Sequence, residues 1–203
     1  TKVGIDPSLH SNTEIKKIKT IVKKKQSTIK YLEKNPIDIQ WHNQPSYPQS
    51  KAFIHEKKYS GGSTEDKLRE IQSVLKSKSI DYYLLTSLDS IAWLLNIRGN
   101  DILNTPLLLS FAIVPLSGKI EFFVDNVKIT NVKEELIKFV NLHAFTNIED
   151  YLSTIRNNYV VGIDDNHTAY KFKKICDNNG IATQFISDTC VYPKAKKNII
   201  ELS

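Results

Sequence analysis

Apolar and polar positions along the chain change period several times, and the changes mark its elements. Val3-Gly4-Ile5-Asp6-Pro7 reads as a strand running into a turn. From Glu14 to Lys34 the apolar residues Ile15, Ile18, Ile21, Val22, Ile29 and Leu32 recur mostly every three, four or seven positions, which predicts one helical stripe. Ser11, three positions before Glu14, has capping-box spacing and marks the helix start. Residues 36–59 carry Pro36, Pro45 and Pro48 with little periodicity and read as a linker packed down at a few points around Trp41. Ser60-Gly61-Gly62-Ser63 is the clearest break, a loop ending in an N-cap.

Beyond Thr64 the pattern is regular. Residues 64–79 are predicted helical with Leu68, Ile71, Val74 and Leu75 on one side, residues 81–86 a buried strand, and residues 88–96 a short buried helix. Residues 107–115 and 119–124 flank Leu116-Ser117-Gly118 as an antiparallel hairpin. Helix is expected over 131–140, strand over 142–145, and helix over 147–157 with a second capping box at Thr146 and Glu149. Strand over 159–163, helix over 168–178 closed by Gly180, and strand over 182–186 complete the chain. This alternation predicts an α/β fold, a mixed β-sheet with flanking helices, and shows no internal repeat.

Composition narrows the class. With 203 residues, 40% of them apolar, the chain can bury a real core. Two cysteines exclude a disulfide scaffold, and reduced thiols at Cys176 and Cys190 fit a cytoplasmic setting. The longest nearly apolar run, residues 106–116, is too short for a membrane helix, and residues 1–30 hold no signal-peptide core. A chain that opens at Thr1 and contains no methionine reads as a processed or excised piece.

The net charge of +6 is concentrated. Residues 14–34 hold eight Lys and two Glu, which leaves 20 basic and 20 acidic residues elsewhere. A lysine face can meet nucleic acid or a membrane surface, but the chain has 25 Lys against three Arg (Arg69, Arg98, Arg156). Nucleic-acid readers lean on the guanidinium fork, so a solvated helix face is the favoured reading, with no nucleic acid and no membrane as partner.

Candidate chemistry is sparse. The histidines at 10, 42, 55, 143 and 167 have no short zinc spacing, the cysteines have no CxxC partner, and no nucleophile elbow or phosphate loop is present. Asp164-Asp165-Asn166-His167 is the most metal-like cluster, but at a strand end before a helix these residues serve as turn and cap residues. The richest segment is Trp93-Leu94-Leu95-Asn96-Ile97-Arg98-Gly99-Asn100-Asp101, an Arg and an Asp beside a Gly just after a tryptophan. Its plain reading is that Arg98 pairs with Asp101 and caps the preceding helix; its sharper one is that the loop projects toward another domain's cleft.

The segment from Asp89 to Ile102, followed by Pro106 and Ser110-Phe111-Ala112-Ile113-Val114, resembles the middle domain of the three-domain Xaa-Pro aminopeptidases (aminopeptidase P) of the creatinase/prolidase group of metallopeptidases. Residues 3–7, Asn35-Pro36-Ile37-Asp38 with Trp41, and Lys194-Ala195-Lys196-Lys197-Asn198 with Glu201-Leu202 resemble the same family in the same order. Leu103 departs from the Pro usual in the family, which loosens the loop there. The resemblance implies that residues 1–57 are the tail of the first N-terminal domain plus linker. It makes residues 58–192 a second, creatinase N-terminal-like (RNase H-like) domain, and residues 193–203 the start of a catalytic domain. By the same resemblance the parent holds two Mn2+ through two Asp, one His and two Glu beyond Ser203, none of which falls in this chain. No catalytic or metal residue is then expected here; Trp93, Arg98 and Asp101 are the substrate-access or domain-interface candidates. The implied partners are Xaa-Pro peptides through the parent, its own catalytic domain and a second copy in a homodimer. The rival is a non-catalytic peptidase-like module that binds proteins or peptides, as in a histone-chaperone subunit; a neutral body with a basic helix offers no acidic face for histones.

Overall fold

The computed structural model describes residues 1–202. The chain runs β1 (Lys2–Ile5), α1 (Asn12–Lys24), β2 (Thr28–Tyr31), α2 (Pro36–Gln40), β3 (Phe53–Ile54), α3 (Lys57–Ser60), α4 (Thr64–Ser77), β4 (Tyr82–Leu85), α5 (Leu88–Leu94) and β5 (Ile97–Arg98). It continues β6 (Ser110–Pro115), β7 (Ile120–Val124), α6 (Lys133–Leu136), β8 (Val140–His143), α7 (Ile148–Thr154), β9 (Val160–Ile163), α8 (Tyr170–Asn178), β10 (Ala182–Phe185) and α9 (Val191–Ala195).

Six strands form one mixed sheet in the order β10-β9-β4-β6-β7-β8. β4, β9 and β10 are parallel, β6 runs against both β4 and β7, and β8 is parallel to β7. Both faces are covered, as the near-continuous apolar strands require. Alternation along each strand divides the core: Tyr83, Leu85, Ala112, Val114, Phe122 and Val124 pack with Leu68, Ile71 and Leu75 of α4 and Ile91 and Leu94 of α5. Leu84, Ile113, Phe123 and Ile163 face the other way, onto Ile148 and Leu152 of α7 and Phe172 and Cys176 of α8. Cys176 and Cys190 are both free and buried, and burial pushes the Cys176 thiol up to about 11. No helix among the described residues is long and apolar enough to cross a membrane.

A smaller parallel pair, β1 with β2, carries α1 across it. Ser11 and Glu14 form the predicted capping box. The helix is shorter than the stripe suggests. It ends at Lys24, Gln26 turns left-handed (φ 50°), and Thr28-Ile29-Lys30-Tyr31 is strand, not helix. The seven-residue step from Val22 to Ile29 fits both a continued helix and a new strand, and the alternating Thr-Ile-Lys-Tyr run decides for the strand once β1 is available to pair. This unit docks on the β9–α8 loop: Thr13 N–H donates to the Asp165 carbonyl (3.0 Å), Tyr170 N–H to His10 (2.7 Å) and Lys171 N–H to Pro7 (2.9 Å). The side chain of Asp165 accepts from Asn12 and Lys16 at the N-terminal end of α1, where a carboxylate is favoured by the helix dipole.

Four other expectations need correction. Residues 131–140 contain only the four-residue α6, because Val140 is taken up by pairing with Ile120; the strand expected at 142–145 therefore starts and ends earlier, at Val140–His143. The Thr146–Glu149 capping box does not form: a 3-10 turn over Phe145–Asn147 makes Asn147 the N-cap, and Glu149 pairs with Lys171 at 2.8 Å. Trp41 is half-exposed, and the linker is instead held at Ala52, which is buried and donates its N–H to the Lys128 carbonyl at 2.7 Å.

Ile15 is completely buried between β1, β2 and Tyr170, whereas Ile21 on the same helix is 60% exposed. Ile15→Ala is expected to cost about 2–5 kcal/mol and Ile21→Ala less than about 0.5 kcal/mol, as read by urea denaturation.

Candidate functional site

The Trp93–Asp101 segment begins at the end of α5. Leu95 caps that helix and Asn96 follows in the left-handed region (φ 50°), which reverses the chain into β5. There Ile97 and Arg98 pair antiparallel with Ile54 and Phe53 of the linker. A helix ending in a buried turn leaves carbonyls without partners, and cations are favoured beside them. Two arrive. Arg98 Nη1 donates to the Ala92 carbonyl (2.7 Å) and to that of Ile97 (2.9 Å). Lys67 of α4 donates Nζ to the Trp93 carbonyl (2.9 Å) and to Asn96 Oδ1 (2.6 Å), and lies 4.7 Å from the centroid of the Trp93 ring. Asn96 Nδ2 in turn donates to the Gly62 carbonyl (2.8 Å), which ties the turn to the N-terminal end of α4.

Neither cation hydrogen-bonds a carboxylate among the described residues. Burial lowers the Lys67 ammonium to about 8, with the Arg98 charge adding to the effect and Glu201 opposing it. Burial likewise holds the Arg98 guanidinium below its ordinary value, and the same two cations, after burial, depress His55. The outer side of Lys67 and Trp93 borders a 270 Å³ pocket shared with Pro193, Lys196, Asn198 and Glu201.

The expected Arg98–Asp101 pair is not made. Asp101 accepts from Lys128 Nζ (2.6 Å) and Leu109 N–H (2.8 Å) on one oxygen, and from the Ser50 hydroxyl (2.7 Å) on the other. The Asp101 side chain is fully buried and that of Lys128 nearly so. Burial by itself would raise the Asp101 carboxyl, but the hydrogen bonds from Lys128, Ser50 and Leu109, with the Lys128 charge, hold it below the usual carboxylate range. Gly99 allows the close approach this needs: a Cβ there would lie 2.2 Å from Leu108 Cδ2. Of the three sequence candidates, Trp93 and Arg98 thus share one cluster at the helix end, while Asp101 belongs to a separate buried ion pair.

Lys67, Ser50 and Lys128 were not singled out from the sequence, and Asn96 only as part of the Trp93–Asp101 segment. Lys67 left a signal, a lysine four positions before Ile71 and beside Leu68 on the apolar face of α4. Lys128 left none, since it stands in the loop after β7. The Asp164–His167 cluster is a turn: Asp164 accepts from the N–H groups of Asn166 (2.8 Å), His167 (3.1 Å) and Asp188 (2.9 Å). No group of three or more His, Cys, Asp or Glu among the described residues is placed to hold a metal ion.

This sheet and its helices define the class. The sequence model of the Creatinase/Prolidase N-terminal domain matches residues 43–201, and the chain belongs to that family. Among curated relatives, a probable Xaa-Pro aminopeptidase P of Pyrenophora teres f. teres is 29% identical over 171 residues, covering 84% of this chain and 26% of its own length. Xaa-Pro aminopeptidase 1 of Dictyostelium discoideum is 34% identical over 160 residues, covering 74% of this chain and 25% of its own. The chain thus spans about a quarter of these relatives. The fold is that of X-prolyl aminopeptidase from Caenorhabditis elegans, with a TM-score of 0.87 at 24% identity over 100% of this chain and 34% of that one; that protein is described as a cytosolic enzyme with a di-nuclear active site.

Removing one member of the Asp101–Lys128 pair strands a buried charge, so Lys128→Met is expected to cost about 3–5 kcal/mol, whereas the double change Asp101→Leu/Lys128→Met costs clearly less than the two single changes added together. Chemical denaturation of the four proteins checks this. Lys67 gives a pH signature of opposite sense to a stabilising cation. Its folded value of about 8 lies below the unfolded one, so above pH 8 the native state sheds a proton that the unfolded chain keeps, and stability gains from this group as pH rises toward the ordinary lysine value. The gain is expected to disappear in Lys67→Met when unfolding free energies are compared between pH 7.5 and 10, about the window set by the two lysine values.

Proposed function

We propose that this chain is the non-catalytic N-terminal region of a Xaa-Pro aminopeptidase, an exopeptidase that removes the residue before proline, and that it shapes access to an active site carried elsewhere in the parent. In this reading residues 1–57 end a first domain and its linker, residues 58–192 form the second domain, and residues 193–203 open the catalytic one. The observation that carries it is the match, over most of this chain, to relatives named as Xaa-Pro aminopeptidases, each about four times as long as the aligned part. The di-nuclear site named for the Caenorhabditis elegans enzyme supports a two-metal parent, for which we propose manganese. No group of His, Cys, Asp or Glu among the described residues fits such a centre, and the reading assigns its ligands to the remainder of the parent. Two adjacent metals would there activate water and stabilise the developing oxyanion.

Trp93 and Arg98 then stand at the access or interface side, and Asp101 acts from beneath by fixing the loop. Tyr192 (85% exposed), Ile199 and Leu202 leave an apolar surface on the last described segment, suited to burial against the catalytic domain. A second copy of the parent is a further proposed contact, and the cytoplasm the proposed compartment. In the full-length enzyme, Arg98→Ala is expected to lower kcat/KM on Xaa-Pro peptides by about tenfold, the equivalent of about 1.4 kcal/mol, with only a small loss in Tm. Unchanged kcat/KM and unchanged stability would contradict a role for Arg98. A parent that binds such peptides without cleaving them would favour the peptidase-like binding module.

A further inference from the structure

A second cavity lies away from Trp93 and Arg98. It is a groove of about 740 Å³ at the carboxyl ends of the parallel strands β7 and β8, with linker residues 46–49 along one side. That volume is in the range of small-molecule sites. Its wall is aromatic: Phe111 and Phe145 stack with centroids 5.1 Å apart, and Tyr47 meets Phe145 at 5.8 Å. Tyr47 sits on the linker and is 69% exposed, so its ring is held over the groove and not in the core.

The charges in the groove differ in what neutralises them. Lys128 is taken by Asp101 at 2.6 Å, and Lys171 and Glu149 pair with each other at 2.8 Å. Asp125 has no such partner. It accepts from Gln49 Nε2 (2.9 Å) and the Val127 N–H (3.0 Å), and no ammonium or guanidinium lies within 4 Å of its carboxylate among the described residues. In a chain of net charge +6, this carboxylate lines the same groove as the three rings, with Lys128 and Lys51 acting on it only at longer range, and the groove's other charges are already paired. Carboxylate and π-faces together favour a cation with an apolar body, since the ring quadrupoles and the anion attract the same charge.

We infer that this groove binds a primary ammonium carried on an aromatic or branched apolar group, with the ammonium on Asp125 and the apolar group on Phe111, Phe145 and Tyr47. Free amines and the amino ends of peptides share this chemistry. The inference does not rest on the peptidase reading, because every residue it uses lies in this chain and the test measures binding alone.

The 203-residue chain is titrated separately with 2-phenylethylamine and with phenylalanyl-glycinamide, and backbone amide shifts are followed by NMR. Binding is expected with Kd on the order of 1–10 mM, as suits fragments of this size, with shifts centred on residues 125–126 and 144–146. Both probes binding supports the shared chemistry, while the dipeptide alone or the amine alone supports the same site and identifies the source. Asp125→Asn, which keeps an acceptor for Val127, should weaken binding about tenfold, as for loss of a charged partner. Tyr47→Ala, on the exposed linker, should weaken it several-fold without affecting folding. The inference is overturned if neither probe shifts these amides, if 3-phenylpropionate or the N-acetylated dipeptide binds equally well, or if both variants bind like the parent chain.

Discussion

Asp101 and Lys128 place opposite charges 2.6 Å apart where both side chains are almost wholly withdrawn from water. Desolvating two such groups costs several kcal/mol each, and only near-complete hydrogen bonding brings the pair back toward balance. Here Ser50 and Leu109 supply it. The pair therefore adds little net stability over an apolar pair of the same shape; what it does is fix position. One carboxylate joins the linker at Ser50, the stretch leading into β6 at Leu109 and the loop after β7 at Lys128, so three segments far apart in sequence have one arrangement. The turn that carries Trp93 and Arg98 hangs from this joint through Gly99, whose missing side chain lets Leu108 pack against the backbone.

The other end of that turn is held differently. The Ala92 and Trp93 carbonyls each receive a cation, and neither cation hydrogen-bonds a carboxylate among the described residues. The helix dipole, the Asn96 amide and the Trp93 ring take that place. Burial is the main reason that Lys67 and His55 are lowered, and the neighbouring cations add to it.

Most of the large sheet was legible because its central strands are buried on both faces and bounded by loop residues; β4, the β6–β7 hairpin and β9 all stand close to where hydrophobic runs put them, and β10, a largely exposed edge strand, also stands close to where it was expected. The errors fell where spacing is ambiguous. Ile29 and Leu32 continue a helical count numerically, yet Gln26 breaks the helix and the strand gains β1 as a neighbour. Thr146 and Glu149 have the spacing of a cap, but a 3-10 turn moves the helix start onto Asn147. The Arg98–Asp101 pairing failed for a related reason: proximity in sequence cannot reveal Lys128, which lies 27 residues away from Asp101 and outcompetes the neighbour. A lysine in a loop carries no mark of burial, whereas one on the apolar face of a helix does. The family resemblance, carried chiefly by the stretch from Asp89 to Ile102, identified the fold that periodicity alone left at a mixed α/β sheet.

The claim at the centre of this account is that the Trp93–Asp101 turn is rigid and preformed, held by the buried joint at Asp101. Native-state amide hydrogen exchange at Leu109 and Ala52 tests it most directly, since Leu109 donates to the Asp101 carboxylate and Ala52 to the Lys128 carbonyl. If the joint is rigid, both amides exchange only through global unfolding, with opening free energies equal to those of β4 and β6 in the core. Fast exchange of the two amides while the core strands stay protected would show a loop that opens on its own, and would contradict it.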